Sequence, residues 1–153
     1  MSFRIEEKIQ IDKGKLIQLM EWIILNDGKQ IYPARLVSST YFDNQSLDMF
    51  YQSEEGSLPR KKIRLRSYAF EKHSNSNSKL ETKVSSVEGR FKTEKVVRNA
   101  SSILKFGFLD SEYGLLRPIV RVSYYRSYYS IYGVRLTIDR KLTYEPLRLN
   151  HKR

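Results

Sequence analysis

The sequence predicts an α+β fold in which helices flank an antiparallel β-barrel, and three observations lead to this prediction. Segments with alternating apolar and polar residues recur along the chain, as expected for strands with two different faces. Other stretches show apolar residues at helical spacing between capping signals. The polar faces of four predicted strands carry charged stripes. These stripes would converge on a lumen if the strands closed into a barrel, although each could equally be the solvated face of its own strand.

Composition narrows the class of partner. The chain has 153 residues and 40% hydrophobic content, which predicts one domain over residues 1–153 with a core that needs no disulfides. Its net charge of +11 favours a nucleic acid, an anionic membrane surface or a small polyanion. The absence of cysteine excludes disulfides, thiolate metal sites and cysteine nucleophiles. The N-terminus lacks an apolar signal core, and no run reaches the length of a membrane span, so we expect a cytoplasmic protein.

The predicted elements follow one another without an internal repeat. Residues 3–12 alternate and form the first predicted strand, with Glu6 and Lys8 on its polar side. Residues 13–25 form a helix that begins after the capping residue Asp12. The other predicted strands cover residues 36–43, 60–70, 79–85, 90–98, 118–131 and 134–141, short helices cover residues 46–52 and 99–107, and residues 73–78 form a polar hairpin loop.

The basic run over residues 60–66 is the most informative segment of the chain. A period of two places Ile63 and Leu65 on one side and four cations on the other, namely Arg60, Lys62, Arg64 and Arg66. Charges spaced about 6 to 7 Å apart along a strand repel one another unless an extended anion lies across them. A chain of phosphates has that shape, so this strand predicts phosphate binding.

Two later strands add charged residues of less certain orientation. Glu81 lies two residues before Lys83, so both side chains face the same way and could form an ordinary ion pair. Lys92 and Lys95 cannot both face inward on a regular strand. The sequence leaves open which of the two does so.

Six motifs occur in order along the chain, and together they resemble a known family. They are residues 4–8 (RIEEK), 39–43 (STYFD), 60–68 (RKKIRLRSY), 80–83 (LETK), 124–126 (YYR) and 135–139 (RLTID). This order resembles the VTC domain, the polyphosphate-polymerase branch of the triphosphate tunnel metalloenzyme superfamily, which also contains the CYTH domains. The resemblance implies a single VTC-like tunnel domain with a basic lumen.

The resemblance also implies an activity and a set of residues. The activity is metal-dependent transfer of a phosphoryl group from ATP or another nucleoside triphosphate onto inorganic polyphosphate, with no nucleic acid as partner. The residues that match the family's phosphate-gripping positions, in catalysis and substrate binding, are Lys8, Arg64, Arg66, Lys83, Arg126 and Arg135. Lys62 shares the face of Arg64 and is added to the substrate-binding set, and Arg60 is placed at the tunnel mouth.

A divalent cofactor, Mn²⁺ or Mg²⁺, is part of what the resemblance implies. Glu6 and Glu81 are the candidate metal ligands, since hard cations prefer oxygen donors. The family's last strand, which bears a metal-binding glutamate followed by a lysine, has no match here, and Glu145 is a poor substitute because Pro146 follows it. Three alternatives therefore stay open: a triphosphate hydrolase, a non-catalytic polyphosphate-sensing module, and a basic nucleic-acid-binding β domain.

Overall fold

The computed structural model describes residues 6–69 and 78–147, which form three helices and seven strands. The predicted α+β class is confirmed. No helix in this part of the chain combines the length and the apolar character needed to cross a membrane. The elements in chain order are α1 (Lys13–Leu25), β1 (Lys29–Asp43), α2 (Asp48–Glu55), β2 (Arg60–Ala69), β3 (Ser78–Ser86), β4 (Gly89–Val97), α3 (Ala100–Phe106), β5 (Phe108–Asp110), β6 (Gly114–Ile131) and β7 (Val134–Pro146).

The seven strands form one sheet with the order β4-β3-β2-β1-β6-β5, and β7 also pairs with β6. The β1–β2, β2–β3, β3–β4 and β5–β6 pairs are antiparallel. These pairings of the described strands do not join the two ends of the sheet. An antiparallel sheet is thus observed, whereas closure into a barrel is not seen among these residues.

Two predicted elements differ from the structure, and one strand was not predicted. Residues 6–12 are not a strand, although their alternation predicted one, and residues 3–5 lie outside the described part. β1 begins at Lys29, well before the predicted start at residue 36, and continues through Pro33. The three-residue strand β5 was too short to be recognised from periodicity. Most of the predicted loop, residues 73–77, also lies outside the described residues.

Contacts divide the chain into two compact units. The first unit comprises Met1–Pro33 and Ser127–Ile138, and the second comprises Ala34–Arg126 and Asp139–Arg153. In the first unit, α1 packs Ile23 against Ile131 and Ile138. Asp12 caps this helix as predicted, because its side chain accepts a hydrogen bond of 2.8 Å from the Lys15 backbone N–H.

The core of the second unit lies on one face of β1 and β2. Its fully buried members are Phe42, Met49, Ile63, Leu65 and Leu116. Helix α3 and strand β5 cover this cluster from outside with partly buried apolar side chains. Because side chains alternate along a strand, Lys62, Arg64 and Arg66 lie on the opposite face of β2.

Asp43 fixes the turn from β1 into α2. Its side chain is only 2% exposed and accepts hydrogen bonds from three backbone N–H groups, those of Asn44, Met49 and Phe50, at 2.8, 3.2 and 2.9 Å. The N–H groups at the start of a helix lack partners within the helix, so the carboxylate satisfies donors that burial would otherwise leave unpaired.

We expect the Asp43→Asn substitution to lower the free energy of unfolding by about 2 kcal/mol, because an amide nitrogen cannot accept the hydrogen bond from Phe50. Urea unfolding followed by circular dichroism measures this loss. The matched control is Asp12→Asn, where a single oxygen accepts the capping bond and the amide oxygen can take its place. Equal losses in the two variants would contradict the role assigned to the second oxygen of Asp43.

Candidate functional site

The second unit carries a charged surface on β1–β4, opposite its apolar core. Directly opposed residues of antiparallel strands share a face, and so do alternate residues of one strand. Ile63 opposes Phe42 on the core side, whereas Arg64 lies between Tyr41 and Glu81 on the other side. We call this surface the cationic face; it consists of Ser39, Tyr41, Lys62, Arg64, Arg66, Lys79, Glu81, Lys83, Lys92 and Glu94.

Arg64 and Arg66 lie side by side at the centre of the cationic face, and their side chains are only 14% and 11% exposed. Arg64 donates from Nε to Glu81 at 2.6 Å and from Nη1 to the Tyr41 hydroxyl at 3.2 Å. Arg66 donates from Nε to the Ser39 hydroxyl at 3.0 Å. Each guanidinium is therefore held in place through its Nε atom.

Glu81 is the buried carboxylate of the cationic face, with a side chain 3% exposed. Arg64 donates to its Oε2, Lys92 donates to its Oε1 at 3.1 Å, and Arg66 Nη1 lies 4.0 Å from Oε2. Burial alone would raise the pKa of the Glu81 carboxyl, but the hydrogen bonds from Arg64 and Lys92 outweigh burial and lower that pKa below its ordinary value. Glu81 is therefore a charged acceptor surrounded by cations.

Lys62, Lys83 and Lys92 stand opposite one another on β2, β3 and β4. Lys92 pairs with Glu81 and Glu94, whereas Lys62 and Lys83 make no hydrogen bond or ion pair with any described residue. Partial burial, followed by repulsion from Arg64 and Lys92, lowers the pKa of the Lys83 ammonium. Like charges that oppose one another across strands destabilise a sheet, so this lysine row favours an anionic ligand.

Arg126 lies on β6 in the same unit and forms a two-pronged ion pair with Asp139, with both N–O distances at 2.6 Å. Its guanidinium carbon lies 5.0 Å from the centre of the Tyr124 ring. Burial raises the pKa of the Tyr124 hydroxyl, and the charges of Arg66 and Arg126 oppose that rise. Arg126 is thus held by a carboxylate on β7, as Arg64 is held by one on β3.

The first unit contains three more of the predicted residues, whereas Arg60 lies at the start of β2 in the second unit. Glu6 and Lys8 are exposed in the irregular segment before α1, so the strand that was to align them is not formed. Arg135 is exposed on β7, and its guanidinium lies 5.3 Å from the centre of the Tyr128 ring. Of the predicted residues, the structure gathers Lys62, Arg64, Arg66, Lys83 and Glu81 on the cationic face.

Comparison with protein families identifies the chain. The model of the VTC domain matches residues 3–112, which is most of the sequence and includes β1–β4 with the whole cationic face. The chain belongs to the VTC domain family. The resemblance drawn from the six motifs is thereby confirmed.

Comparison with solved structures shows a likeness in fold alone. One of thirteen matching chains is a protein from Bacillus halodurans described as a candidate adenylate cyclase. The two share 14% sequence identity with a TM-score of 0.50, and the match covers 83% of this chain and 73% of that chain. No curated protein matches the sequence.

The predicted metal ligands of this VTC domain do not fit a metal site. Both oxygens of Glu81 are already acceptors for Arg64 and Lys92, and Glu6 lies in the exposed segment of the first unit. Among residues 6–69 and 78–147, no three His, Cys, Asp or Glu side chains come close enough to share an ion. Mg²⁺ and Ca²⁺ require several oxygen ligands, which the cationic face does not offer.

Five members of the cationic face were not predicted as site residues: Ser39, Tyr41, Lys79, Lys92 and Glu94. The first two belong to a motif that carried the resemblance, and their hydroxyls could be placed only once the register of β1 against β2 was known. Lys92 resolves the alternative left open above, since it faces Glu81 while Lys95 opposes Leu80 on the other side.

Proposed function

We propose that this VTC domain binds inorganic polyphosphate, or the triphosphate of a nucleotide such as ATP, on the cationic face. Phosphates carry several acceptor oxygens, and the planar guanidinium of arginine can donate to two of them at once. Lysine adds a charge on a flexible side chain, which can adjust to the position of the phosphates. The cationic face combines both types of donor on four adjacent strands.

The observation that carries this proposal is the way Arg64 and Arg66 are held. The protein engages Nε of both arginines, and no described residue accepts a hydrogen bond from the terminal nitrogens of Arg66. No side-chain nitrogen or oxygen in the described residues is both buried and unbonded, so these donors of Arg66 reach solvent. Fixed guanidiniums with outward-pointing donors are suited to oxyanions.

We further propose that residues 1–153 act as one tunnel domain and that the phosphates held there take part in phosphoryl transfer, which lengthens a polyphosphate chain. In that reaction the protein would position the phosphates and offset their charge, and no enzyme nucleophile is needed. A binding module without catalysis is the second candidate. The engagement of both Glu81 oxygens by cations favours it, because that carboxylate is then not free for a metal.

Calorimetric titration with tripolyphosphate tests the binding proposal, with oligonucleotides as competitors at equal phosphate concentration. We expect tripolyphosphate to stay bound, because three linked phosphates concentrate more negative charge at Arg64 and Arg66 than a nucleic-acid backbone, which carries one charge per nucleotide. A nucleic-acid-binding domain would instead bind the oligonucleotide at least as well, with a steep dependence on salt. Displacement of tripolyphosphate by the oligonucleotide would therefore contradict the proposal.

Product analysis separates the activities. The protein is incubated with ATP and Mn²⁺, and long acid-labile phosphate chains would support the polymerase. Release of free phosphate alone would identify a triphosphate hydrolase. Tight binding of tripolyphosphate without turnover of any nucleotide would identify the binding module.

A further inference from the structure

We propose that Glu81 is an internal counter-anion, not a metal ligand, and that it makes the cationic face select condensed phosphates by their length. This inference rests on the proposed binding of phosphates and adds which phosphates are bound. In the absence of a ligand, Glu81 provides the negative charge that Arg64 requires. An incoming anion then has to share Arg64 with a carboxylate that is already bound to it.

The carboxylates of the cationic face lie in one row of residues that oppose one another across neighbouring strands, and we call such a row a level of the sheet. Glu81 and Glu94 oppose each other on β3 and β4, and they contact four cations, namely Arg64, Arg66, Lys79 and Lys92. Two of these four positive charges are therefore offset within the protein. An orthophosphate ion bound at Arg64 and Arg66 would be attracted only by the positive charge that is not offset. It would also lie close to the Glu81 carboxylate, which repels it.

The next level of the sheet has a different balance of charge. Lys62 and Lys83 lie two residues along their strands from Arg64 and Glu81, a displacement of about 7 Å. No carboxylate of the described residues pairs with either lysine. A single phosphate cannot span both levels, whereas a chain of three linked phosphates can. Longer anions thus reach the unneutralised charge, and the repulsion from Glu81 becomes a smaller part of their binding.

A metal at Glu81 would require a different arrangement. The ion would have to displace the donors from Arg64 and Lys92 and then lie among the cations that surround them. Repulsion between positive charges a few ångströms apart is strong where solvent is largely excluded. The opposing carboxylate, Glu94, is itself bound to Lys79 and Lys92, and no group of three His, Cys, Asp or Glu side chains in the described residues could hold an ion.

The test compares affinities for pyrophosphate and tripolyphosphate in the native protein and in Glu81→Gln, measured by calorimetry with EDTA and again with Mn²⁺. We expect pyrophosphate to bind on the order of tenfold more tightly to the variant, because removing a like charge at contact distance relieves repulsion. Tripolyphosphate should gain less, so the preference for the longer anion falls. The variant should bind pyrophosphate more tightly than the native protein both with EDTA and with Mn²⁺.

The control for this variant is Glu94→Gln, which also removes one carboxylate from the face but leaves Arg64 paired. It should change the preference much less, since Glu94 is more exposed and does not contact Arg64. Weaker binding by Glu81→Gln in Mn²⁺ would overturn the proposal in favour of a metal ligand. An unchanged ratio of the two affinities would also overturn it.

A second variant keeps the proposal testable if Glu81→Gln does not fold. Lys62 is exposed, so Lys62→Ala should leave the fold intact and weaken tripolyphosphate binding several-fold more than pyrophosphate binding. Its control is Lys95→Ala, on the opposite face of β4. Equal losses for both anions would contradict selection by length.

If the native protein bound neither anion, the proposed function itself would fail. If the native protein bound both anions without preference, only the selection by length would fail.

Discussion

Replacing both Arg64 and Arg66 by alanine is expected to lower the affinity for tripolyphosphate by at least about 100-fold. A hydrogen bond to a charged group contributes about 1.5 to 3 kcal/mol, so the loss of one such bond from each arginine costs about 3 to 6 kcal/mol. Each 1.4 kcal/mol corresponds to about a factor of ten in affinity. Calorimetric titration with tripolyphosphate at fixed salt concentration measures the change.

The double substitution also changes what remains on the cationic face. Glu81 loses its contacts with both arginines and keeps only Lys92, so a buried carboxylate then stands where phosphates would bind. This adds repulsion to the loss of donors. It also destabilises the protein, because removing one partner of a buried ion pair leaves an uncompensated charge. Circular dichroism and thermal unfolding must therefore show that the variant is folded at the temperature of the titration.

The matched control is the Lys95→Ala, Lys105→Ala double variant, which removes the same net charge from exposed positions on the core side of the sheet. At physiological salt, charges more than about 8 Å apart are largely screened, so its affinity should change little. Similar losses in both double variants would show that net charge, not the arginine pair, drives binding. A second comparison is the Arg64→Lys, Arg66→Lys double variant. It keeps both charges but removes the paired donors of each guanidinium.

The sequence predicted correctly which residues lie on each face of β2, because alternate residues of a strand point to opposite faces. Ile63 and Leu65 are buried in the core, and Arg64 and Arg66 lie opposite, as the alternation required. The same rule gave a wrong strand over residues 6–12, where alternating residues form no strand. Alternation is compatible with a strand, but a strand also needs a neighbour that accepts and donates its backbone hydrogen bonds.

The partners within the site depend on register, which the sequence did not reveal. The sequence showed only that Glu81 and Lys83 share a face of β3 and could pair. In the structure the hydrogen-bond donors to Glu81 come from the neighbouring strands, Arg64 on β2 and Lys92 on β4. Cross-strand neighbours are set by loop lengths and by packing of the core, so they follow from the tertiary structure and not from local periodicity.

Gly107→Ala is expected to have the largest effect on stability, a loss of about 4 kcal/mol or more. Gly107 joins α3 to β5 with φ +78° and ψ −162°, a backbone conformation that is essentially restricted to glycine. A Cβ atom at this position would lie 2.0 Å from the carbonyl oxygen of Leu116, a residue with 0% exposure. Backbone atoms cannot turn aside as a side chain can, so β6 would have to move away from the core.

Gly114→Ala is the control that separates the two causes of this loss. Gly114 also has a positive φ, +71°, but nothing lies within 4 Å of the Cβ that alanine would add. Backbone strain alone should cost about 1 to 2 kcal/mol there. Urea unfolding of both variants measures the difference, and equal losses would contradict a steric conflict with Leu116.

The consequence for the site follows from the position of the core. Leu116 packs in the same cluster as Ile63 and Leu65, which alternate along β2 with the arginines of the cationic face. A shift of β6 would loosen the packing that keeps β2 in register with β1, where Ser39 and Tyr41 hold those arginines. We therefore expect Gly107→Ala to weaken tripolyphosphate binding even under conditions where it remains folded, whereas Gly114→Ala should bind as the native protein does.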